Sequence, residues 1–249
     1  MYEELIKKAA KLRQKTFLAF VEKGEAHLGG SFSLIEMLLA LYEEILTEDD
    51  KFILSKAHAS FPLCILLQEK GFDPVLSTHL ELDEENGINC TTGSLGHGLP
   101  MAVGMAMARK IANRRGRIFV MISDGECQEG TTWESLLIGA RHRLDNLVLL
   151  VDYNKIQALT TLDEALPLES LSAKFAAFNW ECEEILDGHS FADIVPALDK
   201  KRSLGRPRAL IVHTVKGKGV SEFENSPAWH ARKIKGRDLE VGKRELGLE

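Results

Sequence analysis

Between residues 3 and 22, Leu5, Ala9, Leu12, Thr16 and Phe20 recur at helical spacing with lysines on the other face, which predicts an opening amphipathic helix. From Ser33 the pattern changes. Leu34, Ile35, Leu38, Leu39, Leu41 and Tyr42 are apolar on most faces, as in a buried helix, and Ser33 with Glu36 has the spacing of an N-terminal capping box. A strand-like FIL leads into LSKAHAS, and residues 99 to 112 read as a helix rich in Gly and Ala, whose small side chains let a backbone or ligand approach closely. Short, nearly continuous apolar runs then alternate with helical ones. RIFVMIS (117–123), a helix through WESLLIGARHR, NLVLLVD (146–152), WECEEILD (180–187), a helix through FADIVPALDKK and RALIVHT (208–214) follow in order. Such strands belong to parallel sheets covered on both faces, so the alternation predicts an α/β fold with a doubly wound, mostly parallel sheet and helices on both faces. No repeat or low-complexity linker interrupts the pattern, so residues 1–249 are read as a single domain, with a charged tail from about Lys233 that either frays or docks on a partner.

Composition narrows the function classes. With 45% hydrophobic and 27% charged residues the chain has material for a large core, and no apolar run reaches the roughly 20 residues of a spanning helix. The N-terminus, MYEELIKKAAKLRQ, lacks a signal-peptide apolar region, so the expectation is a cytoplasmic protein with no membrane role. Thirty-one Lys and Arg against 37 Asp and Glu give −6, which argues against a broad nucleic-acid surface but leaves room for a local phosphate site. Cys64, Cys90, Cys127 and Cys182 contain no C-x-x-C pair, so reduced thiols are expected.

The candidate chemistry sits at two predicted strand ends. Asp124 and Gly125 follow one strand, and Asn154, 30 positions after the acid, follows the next, with Ile156 two residues later. That is one βαβ step, and in open parallel sheets ligands gather at the carboxyl ends of adjacent strands. A carboxylate, an amide oxygen and a backbone carbonyl make a hard oxygen set suited to magnesium. On this pattern alone, Asp124 as a helix cap and Asn154 as a turn residue is an equal reading.

SDGECQEGTTWE followed by VDYNKIQ closely resembles the thiamin diphosphate signature. HLGGSFS, SKAHA, TTGSLGHGLPMAVGMA and VKGKGVSEFENSPAWH resemble, in order, blocks of the transketolase family across nearly the whole chain. The resemblance implies the thiamin diphosphate-binding fold, here the diphosphate-binding domain of transketolase on its own chain. It assigns Asp124, Asn154 and the Ile156 carbonyl to a divalent metal, magnesium or alternatively calcium or manganese. It places His58 and His230 on the cofactor diphosphate and near the reacting centre, Gly93 and Leu95 in the loop against the aminopyrimidine, and Gly125 beside the phosphates. It makes His27 a contact to substrate hydroxyls, so that His27 and His230 are the catalytic pair. Glu129 and Glu134 resemble glutamates of the dimer contact, the alternative being a solvated helix start. His97, His142, His189, His213, Trp133 and Trp229 are expected to be structural, and in KGKGV the glycines are expected to turn the chain and the lysines to be solvated.

The sequence departs from the family at Ala26, Leu28, Ala57 and Ser123. THLELDEENGINC (78–90) lacks a G-H-P segment, and ALT stands at 158–160 where many members read I-D-G, which leaves the sugar open. The pyrimidine-binding and C-terminal domains are expected to be absent from this chain. With them would go the carboxylate that activates the aminopyrimidine. The resemblance therefore implies, as partner, a C-terminal transketolase subunit supplying that domain and the activating glutamate, in a heterotetramer that moves a two-carbon ketol unit between sugar phosphates. The alternatives are an alpha-type subunit of another thiamin diphosphate enzyme, of the 2-oxo-acid dehydrogenase or 1-deoxyxylulose-5-phosphate synthase kind, or a noncatalytic subunit that keeps the fold.

Overall fold

The computed structural model describes residues 1–25, 27–200 and 204–248; Ala26, and Lys201 at the end of the helix expected through FADIVPALDKK, lie outside the described residues. The chain opens with α1 (Glu3–Lys23), α2 (Leu28–Phe32) and α3 (Ile35–Ala40), then β1 (Lys51–Leu54), α4 (Phe61–Glu69) and α5 (Gly98–Ile111). Next come β2 (Ile118–Ser123), α6 (Gly130–Arg141), β3 (Leu147–Tyr153), α7 (Leu162–Ala165) and α8 (Leu171–Ala177). The series ends with β4 (Glu181–Ile185), α9 (Phe191–Asp199), β5 (Arg208–His213) and α10 (Arg237–Glu245).

The five strands form one sheet in the order β1-β2-β3-β5-β4, and every neighbouring pair is parallel. Because side chains alternate across a strand, the sheet feeds two apolar clusters. Phe119, Met121, Val148, Leu150, Leu210 and Val212 join the cluster built with α1, α3, α4 and α9. Ile118, Val120, Ile122, Leu149, Val151 and Ile211 join the one built with α5, α6 and α8. Both faces are thus covered, as the continuous apolar strands require. Among the described residues no helix is long and apolar enough to cross a membrane, and all four cysteines are free.

Two local expectations are corrected. The helix expected from Ser33 already turns at α2, breaks over Ser33 and Leu34, resumes as α3 and continues as a π turn through Leu41–Ile45. Ser33 and Glu36 do not form a capping box, because both are engaged in tertiary contacts. Ser33 Oγ donates to Gly30 O at 3.0 Å and to Asp152 Oδ2 at 2.6 Å. Glu36 accepts from Arg13 at 2.8 Å and pairs with His189 at 3.0 Å. The charged tail, expected to fray or dock on a partner, instead folds as α10 onto its own α1. Val241 is buried in the cluster with Phe17, and Gln14 Nε2 donates to Leu246 O at 2.7 Å.

Gly242 faces the Phe17 ring so closely that a Cβ there would overlap it. Gly242→Leu is therefore expected to lose about 1–3 kcal/mol of stability and to expose the tail to limited proteolysis. An unchanged melting temperature and cleavage pattern would show that α10 does not dock this way.

Candidate active site

Parallel strands deliver their carboxyl ends to one edge, and the pairing places Leu54 beside Met121, Ser123 beside Asp152 and Asp152 beside Val212. The segments that follow β1, β2, β3 and β5 therefore meet. They enclose a cavity of about 230 Å³ whose lining includes His58, Leu95, Asp124, Gly125, Asn154, Ile156 and His230. Seven residues singled out from the sequence are thus brought together. His27 stands at the same place, its ring centroid 5.5 Å from that of His58 and 5.4 Å from that of His230, while His58 and His230 are 5.6 Å apart. Gly93 does not line the cavity; it lies two residues from Leu95, covered by the His79 ring.

The turn after β3 presents the oxygen donors. Asn154 Nδ2 donates to Asp152 at 3.4 Å, which fixes the amide plane, and Oδ1 accepts from Ile156 N at 3.1 Å. Lys155 adopts a left-handed conformation (φ 65°), and its N–H reaches Asp124 Oδ2 at 2.6 Å, while Asp124 Oδ1 accepts from Gly125 N at 2.8 Å. The capping and turn roles are thus both present, and the same groups still border the cavity. Asp124 is 2% exposed; burial, reinforced by the Asp152 carboxylate, pushes its carboxyl up to about 7.

Two lysines and an aspartate that sequence reasoning missed complete the site. Asp152 is fully buried and accepts from Ser33 Oγ, Lys56 Nζ and Thr214 Oγ1. Burial alone would raise its carboxyl, but the Lys56 ammonium and these hydrogen bonds hold it below its ordinary value. Lys56 also donates to Gly30 O at 3.0 Å. Lys216, expected to be solvated, is 2% exposed. Its Nζ donates to Ile156 O at 2.9 Å and to His230 Nδ1 at 2.9 Å. Burial, with Lys56 nearby, brings this ammonium down to about 8. A lone lysine in a Gly-rich turn carries no periodic signal, so only the tertiary structure reveals it.

The glycines of HLGGS explain how the histidines converge. A Cβ on Gly29 would lie 2.7 Å from Trp229 O, so only glycine lets the AWH turn close over α2. Burial first, and then Lys216, lower His230 to about 3; burial and Lys56 hold His58 well below its ordinary value; burial lowers His27 as well. All three are neutral imidazoles near pH 7, able to donate or accept a hydrogen bond without carrying charge. His27 Nδ1 is buried with no hydrogen-bond partner among the described residues, in a left-handed residue (φ 73°). Glu129, exposed at the start of α6, borders the same cavity, whereas Glu134 is exposed one turn on and does not; Trp229 packs against Phe223, and His189 braces Glu36 and Val215 N.

The residues fit a metal diphosphate. Asp124 is a buried carboxylate met by backbone N–H groups of Gly125 and Lys155, whereas Lys216 is a buried ammonium donating to carbonyls and an imidazole. A divalent cation beside Asp124, Asn154 Oδ1 and Ile156 O, with an anion beside Lys216, would give each buried charge an opposite partner.

The family described as "Transketolase, thiamine diphosphate binding domain" matches residues 8–249. The chain is 36% identical over 245 residues to the 6-deoxy-6-sulfo-D-fructose transketolase subunit SqwG of Clostridium sp. (strain MSTE9), covering 90% of this chain and 89% of that one. It is 34% identical over 267 residues to an apulose-4-phosphate transketolase subunit of Actinobacillus succinogenes, covering 98% and 96%. Its fold superposes on the crystal structure of transketolase from Campylobacter jejuni with a TM-score of 0.86 at 26% identity, covering 99% of this chain but 43% of that one.

Removing one member of a buried ion pair leaves the other charge unpaired. Asp152→Asn is therefore expected to destabilise the chain by about 3–5 kcal/mol in denaturant melts. Pairing it with Lys56→Met should recover part of that loss, and a double mutant no more stable than Asp152→Asn would contradict the pairing.

Proposed function

This chain belongs to the transketolase family, as its thiamine diphosphate binding domain, and from that premise we propose that it is the cofactor-binding subunit of a two-chain transketolase. Together with a C-terminal subunit it transfers a two-carbon ketol unit from a ketose to an aldose acceptor. The observation that carries this reading is the meeting, at one cavity, of the Asp124, Asn154 and Ile156 oxygens with His58, Lys216 and His230. Two similar proteins nearly equal in length to this chain are themselves called transketolase subunits, which supports a hetero-oligomer with a partner subunit. Their names specify a sulfonated and a phosphorylated sugar, so we take the donor to be a ketose with an anionic terminus.

In this reading Asp124, Asn154 and the Ile156 carbonyl hold a divalent cation, with magnesium the best match to one carboxylate, neutral oxygens and phosphate. His58, Gly125 and Lys216 bind the diphosphate, and Gly93 and Leu95 lie on the ring side. Bound thiamin diphosphate supplies an electron sink for breaking and forming the carbon–carbon bond. The chain supplies position and hydrogen bonds. His27 and His230, neutral at physiological pH, donate to substrate oxygens as charge develops on them. Lys216 fixes the His230 tautomer: its ammonium donates to Nδ1, so Nε2 carries the proton and is the atom free to donate. Phosphorylated sugars are held in the cytoplasm, which is where this activity belongs.

This chain alone is expected to show no ketol transfer and to gain it on assembly with a partner subunit bearing the activating glutamate, measured as turnover of a ketose phosphate by the purified chains separately and mixed. Appreciable turnover by the single chain would sink the two-chain reading. Asp124→Ala is expected to weaken magnesium-dependent thiamin diphosphate binding at least about a hundredfold in calorimetry of the complex, while shifting the melting temperature of the ligand-free chain little. Unchanged affinity would remove Asp124 from the metal.

A further inference from the structure

Glu126 lies two residues past Asp124 and is fully buried, yet it does not line the cavity. Its two carboxylate oxygens take separate sets of donors. Oε1 accepts from Gly96 N at 3.0 Å and from Ser55 Oγ, and Oε2 accepts from Ser123 N at 2.8 Å and from Ser123 Oγ at 3.3 Å. Ser55 Oγ in turn accepts from Gly98 N at 3.1 Å, so its proton is directed to Glu126. One buried side chain therefore ties the segment after β1 and the end of β2 to the loop 93–98 and the first residue of α5. Thr131 Oγ1 grips the same loop by donating to Gly96 O at 2.7 Å.

We infer that Glu126 is a positioning residue for the ring side of the cofactor site, holding Leu95, through its neighbour Gly96, at the distance that the aminopyrimidine requires. The inference rests on the reading of the site as a thiamin diphosphate site. Its chemistry is specific to a carboxylate. Gly96 N–H and Ser123 N–H point at different oxygens, so a glutamine, whose amide offers one oxygen and one NH2, meets a backbone donor with a donor in either orientation. A buried N–H without an acceptor is unfavourable, and the loop relieves this by moving. Aspartate, one methylene shorter, cannot span both segments. The diphosphate end of the cavity has contacts of its own, through Asp124, Lys155 and Lys216, so a glutamine that keeps its oxygen on Ser123 N leaves that end in place and displaces the Gly96 side.

Two probes separate the ends of the site. Magnesium thiamin diphosphate uses both ends, and magnesium pyrophosphate uses the diphosphate end alone. In the complex of the full chain with its partner subunit, Glu126→Gln is expected to raise the thiamin diphosphate Kd at least about tenfold in calorimetry, while the pyrophosphate Kd changes less than about twofold. Ser55→Ala keeps both backbone contacts of Glu126 and unties Gly98, so it should shift thiamin diphosphate in the same direction by less; it carries the test if Glu126→Gln does not fold. Equal weakening of both probes would make Glu126 a general fold support and overturn the inference, as would unchanged thiamin diphosphate affinity. A wild-type complex that binds pyrophosphate but not thiamin diphosphate would overturn the cofactor reading itself.

Discussion

The site depends first on the fully buried ion pair between Asp152 and Lys56. Asp152 ends the apolar run of the central strand, at the point where a parallel sheet stops being an interior. A carboxylate there is tolerable only with a cation and hydrogen-bond donors around it, and these come from separate elements: Ser33 between α2 and α3, Lys56 after β1, and Thr214 after β5. Because an unpaired charge in this layer is so unfavourable, the four segments have little freedom relative to one another. Lys56 passes the constraint on through Gly30 O, which seats α2, and Gly217 N continues it by donating to Gly29 O at 3.0 Å. The walls that carry His27, His58 and Lys216 thus inherit their positions from one carboxylate.

That arrangement leaves the cavity nearly neutral. Asp124 and Asp152 stand against Lys56 and Lys216, and the three histidines add no charge. A net-neutral pocket is a weak trap for a diphosphate by itself. Within the proposed function the divalent cation corrects this, since it arrives with the anion and is drawn by Asp124, which unlike Asp152 has no ion pair of its own among the described residues. Lys216, donating to neutral acceptors, is the matching group on the anion side. Under that proposal, the raised Asp124 carboxyl and the lowered Lys216 ammonium mark the two positions that an ion-paired ligand would satisfy.

Much of this fold can be read in the sequence, and the reason is local. Strands such as IFVMIS and LVLLVDY are continuous apolar runs, and the alternation with helices dictates a parallel sheet covered on both faces. The interval from Asp124 to Asn154 is legible because one βαβ step has a fixed length. Lys56, Asp152 and Lys216 were not legible, because whether a charged side chain is solvated or buried depends on partners up to about a hundred residues away. Ser33 and Glu36 failed for the same reason: a capping box and two tertiary anchors share the same spacing, and Asp152 and Arg13 decided between them. The tail misled because its sequence is mostly charged, while the contacts that dock it come from scattered positions: Ile234 and Val241 in the core cluster, a glycine against Phe17 and the Leu246 carbonyl on Gln14.

The buried charges of the site share one end of the sheet. Asp124, Glu126, Lys56 and Lys216 lie just past the strand ends and Asp152 in the last two residues of β3, while the strand interiors carry the two apolar clusters. Mid-sheet, a charge would face packed aliphatic side chains on either side and no free backbone donors. One layer further on the strands end, so N–H groups such as those of Gly96, Gly125 and Lys155, and of Ser123 at the last position of β2, are available to satisfy carboxylates. The buried charges that border or support the cavity thus lie where backbone and side-chain donors can offset their desolvation, and that layer is also where a ligand can enter. Within that layer the Asp152–Lys56 pair serves the fold, while Asp124, on the wall of the cavity, carries no ion pair among the described residues and can serve a ligand.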